Sequence, residues 1–282
     1  MSLNINTKIK LNNGVEMPLF GLGTWEISEG DTIINVVRWA ISNGYRHIDT
    51  ARIYGNENGV GKGLKISLEE QGINREDIFI TTKLWIDSFK HEKALKAFDR
   101  SLNNLGLDYV DLYLLHWPEP TYRQEAWKAL ESIFKEGKAR SIGVSNYYEN
   151  HLDELLNGAD IIPAVNQVEL TPYLYLKELK EYCDNKGIML EAYSPLTRGK
   201  KLKDPKLMDI ANKYGKSSAQ ILIRWGLQHK IIEIPKSSNE NHIIENSKIF
   251  DFTISEDDMA NLDKFDEGLY LGMWNPTLSR WK

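Results

Sequence analysis

The sequence predicts a (β/α)8 barrel, and three observations lead to it. Short apolar runs rich in β-branched residues recur along the chain: HIDT (47–50), DIFITTKLW (77–85), YVDLYLLHW (109–117), ARSIGVSN (139–146), AVNQVEL (164–170), GIMLEAYS (187–194) and KIIEIPKS (230–237). Several lack period-two alternation, as parallel strands covered on both faces do. Stretches with helical spacing lie between them, and FGLGTW (20–25) as a first strand completes roughly eight β–α units. A doubly wound sheet reads as the same alternation. No composition shift, low-complexity tract or linker marks a boundary, which favours one closed barrel over residues 1–282.

The elements follow in order. KIKLNNGVEMPLF, ahead of the first unit, carries Asn13-Gly14 between apolar runs, a two-residue hairpin signal expected to plug one end of the barrel. Helical patterns occupy 31–43, 57–71, 91–105, 124–136, 149–157, 176–186, 217–228 and 240–248. In 91–105, Ala94, Leu95, Phe98, Leu102 and Leu105 recur at intervals of three and four, one apolar face of a helix. Residues 266–282 are rich in turn formers and aromatics and read as a surface loop over the other end of the barrel.

Composition excludes several classes of function. Of 282 residues, 41% are apolar and 27% charged, enough for a large core. The 35 Lys and Arg stand against 40 Asp and Glu, a net charge of -5 that argues against a nucleic-acid or anionic-membrane binder. One cysteine, Cys183, excludes an internal disulfide framework. No signal-peptide core and no run long enough to span a bilayer is present, so a cytoplasmic protein is expected, with a monomer as the default. GNENGVGKG (55–63) fails as a phosphate loop, since its glycine spacing is one residue too long and Gly63 stands where Ser or Thr is needed. GLG (21–23) lacks a third glycine, and no metal-binding spacing or nucleophile elbow occurs, so no metal is expected.

In such a barrel, functional groups sit where the strands end. Asp49, Tyr54, Lys83 and His116 take such places. Each alone has a structural alternative: a turn acceptor, a loop aromatic, a lysine bent to the surface, a core histidine. Together they make a mechanism. A buried Lys83 needs a counter-charge, which Asp49 supplies. The cation beside Tyr54 is expected to lower the phenol's pKa and make it a general acid toward a carbonyl oxygen. His116 adds a second donor that orients the carbonyl. The set lacks a nucleophile, so the electron pair must arrive from elsewhere, and hydride from a reduced nicotinamide is the natural source.

These residues sit in segments that resemble the aldo-keto reductases, nearest to short prokaryotic-type members: GYRHIDTARIYGNE (44–57), TTKLW (81–85), LDYVDLYLLHWP (107–118), GVSN (143–146), NQVEL (166–170), EAYSPL (191–196) and IPKS…IIEN (234–246). The resemblance implies that Asp49, Tyr54, Lys83 and His116 are the catalytic tetrad. It implies that Ser145, Asn146 and Gln167 hold a nicotinamide carboxamide while Tyr193 stacks on its ring. Ser194 and Leu196 would cover the pyrophosphate, Lys236 and Ser237 the 2′-phosphate, and Glu245 and Asn246 the adenine. Thr24, with Trp25, Trp85 and Trp117, would lie near the nicotinamide ribose and the substrate pocket.

Two departures from the family pattern matter. His242 stands where an arginine would clamp the 2′-phosphate; a histidine offers fewer donors and only partial charge near neutral pH. NADPH remains the expected cofactor through Lys236, with weakened discrimination against NADH. The loop TRGKKLKDPK (197–206) reads either as a solvated basic surface or, through Lys200 and Lys201, as an attractor of the cofactor phosphates. Trp39, Trp225, Cys183 and Asp111 read as core or structural residues. Trp274 and Trp281 either close over the substrate or cover the barrel rim. Two functions stay open: a carbonyl reductase of small aldehydes and ketones, which the complete tetrad favours, and a cofactor-binding redox sensor or regulatory subunit. A metal-dependent hydrolase is disfavoured by the missing ligand set.

Overall fold

A computed structural model describes residues 3–272 and 275. Its first element is an antiparallel hairpin of β1 (Lys8–Lys10) and β2 (Glu16–Pro18). Eight parallel strands follow in sequence order: β3 (Leu22–Gly23), β4 (His47–Asp49), β5 (Phe79–Leu84), β6 (Val110–Leu115), β7 (Ala139–Ser145), β8 (Val165–Glu169), β9 (Met189–Tyr193) and β10 (Ile232–Glu233). Backbone bonds from Gly21 and Gly23 to the carbonyls of Glu233 and Pro235 tie the first strand to the last. The sheet therefore curls round on itself, as the expected barrel requires.

Helices cover the outer face: α1 (Asp31–Ser42), α2 (Glu57–Gln71), α3 (His91–Leu105), α4 (Arg123–Lys135), α5 (Glu149–Gly158), α6 (Lys177–Lys186), α7 (Pro205–Tyr214), α8 (Ser218–Gln228), α9 (Glu240–Ser247) and α10 (Glu256–Leu262). Strands β5 and β6 are buried along their whole length, which is why their sequences do not alternate. The dismissed glycine-rich stretch has a packing role instead. On α2, a Cβ at Gly59 would lie 2.2 Å from Ile33 of α1, and one at Gly61 would lie 2.2 Å from the Leu105 carbonyl at the end of α3. These glycines let three helices approach more closely than side chains would allow.

Two helices go beyond the sequence expectation. α7 begins at Pro205 behind an Asp204 side chain that accepts from the Lys206 N–H, and it buries Leu207, Ile210 and Ala211. α10 starts behind a similar Ser255 cap. The hairpin differs from expectation by one residue. Leu11 and Val15 still pair, so the turn is Asn12–Gly14 with Gly14 at φ 89°. It does close one end of the barrel: Asn12 donates to the Pro163 carbonyl, and Asn13 to the Arg140 carbonyl and the Ser141 hydroxyl, all beside the starts of β7 and β8.

At the opposite end, residues 266–272 lie over the strand termini. Glu169 at the end of β8 accepts the N–H groups of Leu271 and Gly272, and the Tyr173 carbonyl accepts those of Glu267 and Leu269. Trp274 and Trp281 lie outside the described residues. Among the described residues, no helix is long and apolar enough to cross a membrane.

Candidate active site

The strand ends bring the four candidate catalytic residues together. Asp49 closes β4, Lys83 lies near the end of β5, and His116 follows β6. Lys83 Nζ donates to Asp49 Oδ1 at 2.6 Å, to the Thr50 carbonyl at 3.0 Å and to the Tyr54 hydroxyl at 3.3 Å. Tyr54 ends a short 3₁₀ turn, Arg52–Tyr54, and Gly55 at φ 69° lets the chain leave it sharply. Buried Asn56 then clips this loop down by donating to the Thr24 and Ile27 carbonyls and accepting from Thr50. His116 packs edge-on against Tyr54 and Trp85, with ring centroids 5.7 and 5.1 Å away.

Burial sets the charges here. It opposes the Lys83 cation, but Asp49, with Tyr54 and Glu191 adding to it, offsets this and holds the ammonium pKa above its usual value. Burial likewise pushes Asp49 up while Lys83 pulls it back. The expectation for Tyr54 is overturned in its net sign. Burial of the phenol outweighs the pull of Lys83 and pushes it up to about 12, so Tyr54 stays protonated at neutral pH even though it keeps partial solvent contact at the cavity. Burial, with Lys83 nearby, drives His116 well below its usual value, leaving a neutral imidazole whose buried Nδ1 has no hydrogen-bond partner among the described residues.

Asp49, Tyr54 and His116 form the floor of a cavity of about 360 Å³, with Lys83 buried behind them. Trp25, Ile53, Trp85 and Trp117 make its apolar walls, and Ser145, Asn146, Gln167 and Tyr193 its inner side. Asn146 is tightly fixed: its amide donates to the His116 carbonyl and to Ser145 Oγ, and accepts the Tyr193 hydroxyl at 2.8 Å. Asn146 and Ser194 hold left-handed backbone at φ 66° and 52°, strain of the kind found where side chains are aimed into a site. Thr24 does not join them. Its hydroxyl donates to the Asp49 carbonyl, so it braces β3 against β4 behind the wall.

A second cavity of about 390 Å³ adjoins the first, and Lys236 lines both. Its walls include Leu196, Ser237, His242, Glu245 and Asn246. Lys236 is exposed and, among the described residues, makes no ion pair. The trough thus runs from fixed amides and an aromatic face at one end to a free cation and a helix start at the other. That donor set fits an elongated dinucleotide with its terminal phosphate at the outer end.

Arg198, which was not singled out from the sequence, lines the inner cavity with its guanidinium 4.2 Å from the Trp25 ring. It is the basic group of the 197–206 loop that reaches the trough. Lys201 instead pairs with Glu267 and lies over Tyr173, holding the 266–272 segment. Asp111, Cys183 and Trp225 are buried structural residues as expected; Asp111 is bound by Arg75, Arg140 and the Ile80 N–H. Among the described residues, no three His, Cys, Asp or Glu are grouped to hold a metal ion.

Comparison with known proteins agrees with this architecture. The model of the aldo/keto reductase family matches residues 19–267. An uncharacterized oxidoreductase of Bacillus subtilis (strain 168), YtbE, is 52% identical over 96% of this chain and 97% of its own length. The glyoxal reductase of the same organism is 49% identical over 96% and 97%. The crystal structure of MGS-M4, an aldo-keto reductase from a Medee basin deep-sea metagenome library, superposes with a TM-score of 0.91 at 42% identity, covering 97% of this chain and all of that one. A strand-end site on a barrel matched over nearly its whole length leaves one conclusion: the chain belongs to the aldo/keto reductase family and is an oxidoreductase acting on carbonyl groups.

Proposed function

We propose that the chain reduces small aldehydes and ketones to alcohols with a reduced nicotinamide dinucleotide, NADPH ahead of NADH, and that Tyr54 is the proton donor. The observation that carries this reading is the buried Lys83, which joins Asp49 and the Tyr54 hydroxyl from behind the floor of an apolar cavity. When bound, the cofactor supplies the hydride for the carbonyl carbon. Ser145, Asn146 and Gln167 would receive its carboxamide and Tyr193 its ring face. Ser194, Leu196 and Arg198 would lie along the pyrophosphate, Lys236, Ser237 and His242 at the 2′-phosphate, and Glu245 and Asn246 at the adenine.

The protein's part in the reaction is the proton. Tyr54 keeps it at neutral pH and passes it to the carbonyl oxygen as negative charge builds there. The phenolate left behind is stabilised by Lys83 Nζ, 3.3 Å away in a water-poor site where such a charge pair counts for more than in bulk solvent. Asp49 keeps Lys83 charged and aimed. His116, being neutral, can donate a hydrogen bond to the same oxygen without adding a second cation. Three tryptophans and Ile53 suit compact, partly apolar carbonyls, including aryl aldehydes and α-dicarbonyls of the kind named for the glyoxal reductase relative.

The test is a cofactor-oxidation assay with NADPH and NADH against glyoxal, methylglyoxal and an aryl aldehyde. Wild type should turn over, and Tyr54→Phe should lose about 10²–10⁴-fold in kcat while still binding NADPH. Tight NADPH binding with no turnover of any carbonyl would replace this reading with that of a cofactor-binding sensor.

A further inference from the structure

Behind the tetrad, the barrel interior holds buried polar groups that the proton transfer does not use. Glu191 on β9 is fully buried. Its Oε2 accepts from Gln167 Nε2 at 2.7 Å, and the same nitrogen donates to Asp49 Oδ2 at 2.8 Å. The other Glu191 oxygen has no hydrogen-bond partner among the described residues and lies 3.6 Å from His47 Nε2, which is itself 3.1 Å from Thr81 Oγ1. The titratable groups facing Glu191 are His47 and Asp49 on β4, Lys83 on β5 and Glu233 on β10, with Tyr54 beyond them.

We propose that Glu191 is a positioning residue: by accepting one N–H of Gln167, it locks that amide with its other N–H on Asp49 and its carbonyl oxygen turned to the cavity, as the acceptor for a nicotinamide carboxamide N–H. The inference rests on the cofactor reading above. An amide NH₂ has two donors, and here both meet carboxyl oxygens. The flipped amide is barred, because its oxygen would then face the Asp49 carboxylate, which is paired with Lys83 and can only accept. Gln167 lines the cavity, so the carbonyl is the polar group it has left to offer there.

Charge is consistent with the geometry. Burial, reinforced by Asp49, pushes Glu191 up to about 8, so at neutral pH it is a protonated carboxyl whose Oε2 still accepts. Burial, with Lys83 adding to it, holds His47 at about 3 and therefore neutral. The interior then carries one lysine cation and one aspartate anion, with no second negative charge facing Tyr54. Without the Glu191 acceptor, one Gln167 N–H is left unpaired in the barrel, and the Asp49 contact alone holds the amide, so its carbonyl is less firmly aimed at the cavity.

The experiment is a double-mutant cycle on NADPH affinity, read as Kd from quenching of tryptophan fluorescence at pH 7. Glu191→Thr, which keeps strand preference but cannot reach Gln167, and Glu191→Leu should each weaken binding about tenfold, the loss of one buried hydrogen bond. Glu191→Gln retains an acceptor and should stay within about twofold. In a Gln167→Met background, the same Glu191 changes should cost less than about twofold, because the contact they act through is gone. Equal losses in both backgrounds would reduce Glu191 to a packing residue and overturn the proposal. So would a Glu191→Gln variant as weak as Glu191→Thr. If neither truncated variant folds, Glu191→Gln still decides, since a Kd raised more than about fivefold contradicts an acceptor role. A wild-type chain that fails to bind NADPH defeats the cofactor reading itself, before any variant is made.

Discussion

The two ends of the trough are built by opposite means. At the inner end, Lys83 and Asp49 have side chains that are 0% and 3% exposed, and three groups are held by several neighbours each: Lys83 by three acceptors, Gln167 by two acids, Asn146 by three partners. At the outer end, Lys236 and His242 are exposed, and the ordering comes from backbone, with Asn239 capping α9 through the His242 N–H. The difference follows from the task of each end. Charge placed beside a reacting oxygen acts strongly only when water is excluded, and a buried charge must then be paired. A bound phosphate needs accessible cations and free N–H groups, which tolerate exchange. Residues are therefore interlocked at one end and separable at the other.

The largest break in this contrast is Lys83→Met. It strands Asp49 in the barrel, so unfolding by denaturant should show a loss of about 3–5 kcal/mol together with loss of turnover. Lys236→Met at the outer end should leave stability unchanged and weaken NADPH alone. An equal stability loss at both ends would show that burial does not separate them.

A smaller effect concerns pH. Glu191 has a folded pKa raised from 4.5 to about 8 by burial, with Asp49 reinforcing it. The stability it contributes is complete below about pH 4.5 and is lost as pH rises toward 8, because ionisation is disfavoured only in the folded chain. Glu191→Gln should therefore melt higher than wild type at pH 8, with the advantage gone at pH 5. A constant difference across that range would mean the carboxyl does not titrate in the fold.

The smallest effect is expected at the outer end. His242→Arg adds fixed donors and full charge beside a phosphate, so NADPH should bind about five- to tenfold more tightly, with NADH unchanged. Titrating each cofactor separately checks this. A matching gain for NADH would place His242 away from the 2′-phosphate.

Much of this was legible in the chain. Strand and helix periodicity located the barrel elements, and strand ends located Asp49, Lys83 and His116, because both signals are local. The α7 helix is announced by Asp204, Pro205 and the spacing of Leu207, Ile210 and Ala211, but the basic run overlapping its start makes the same stretch read as a charged loop. The raised pKa of Tyr54 is not legible in the sequence, because the neighbouring Lys83 can be read there but the depth of burial that outweighs it cannot. Arg198 was hidden among other cations of its loop, and only the left-handed backbone at Thr197 and Arg198 accompanies its placement over Trp25.

By itself, then, the sequence determined the order of strands and helices and which residue types stand at the strand ends. Closure of the ring decided the rest. Gln167 meets Asp49 from 118 positions away and Glu191 from 24, because parallel strands wound into a barrel turn alternate side chains toward one axis. Which buried groups share that axis, and therefore which keep their protons, depends on distances and desolvation that no linear spacing contains.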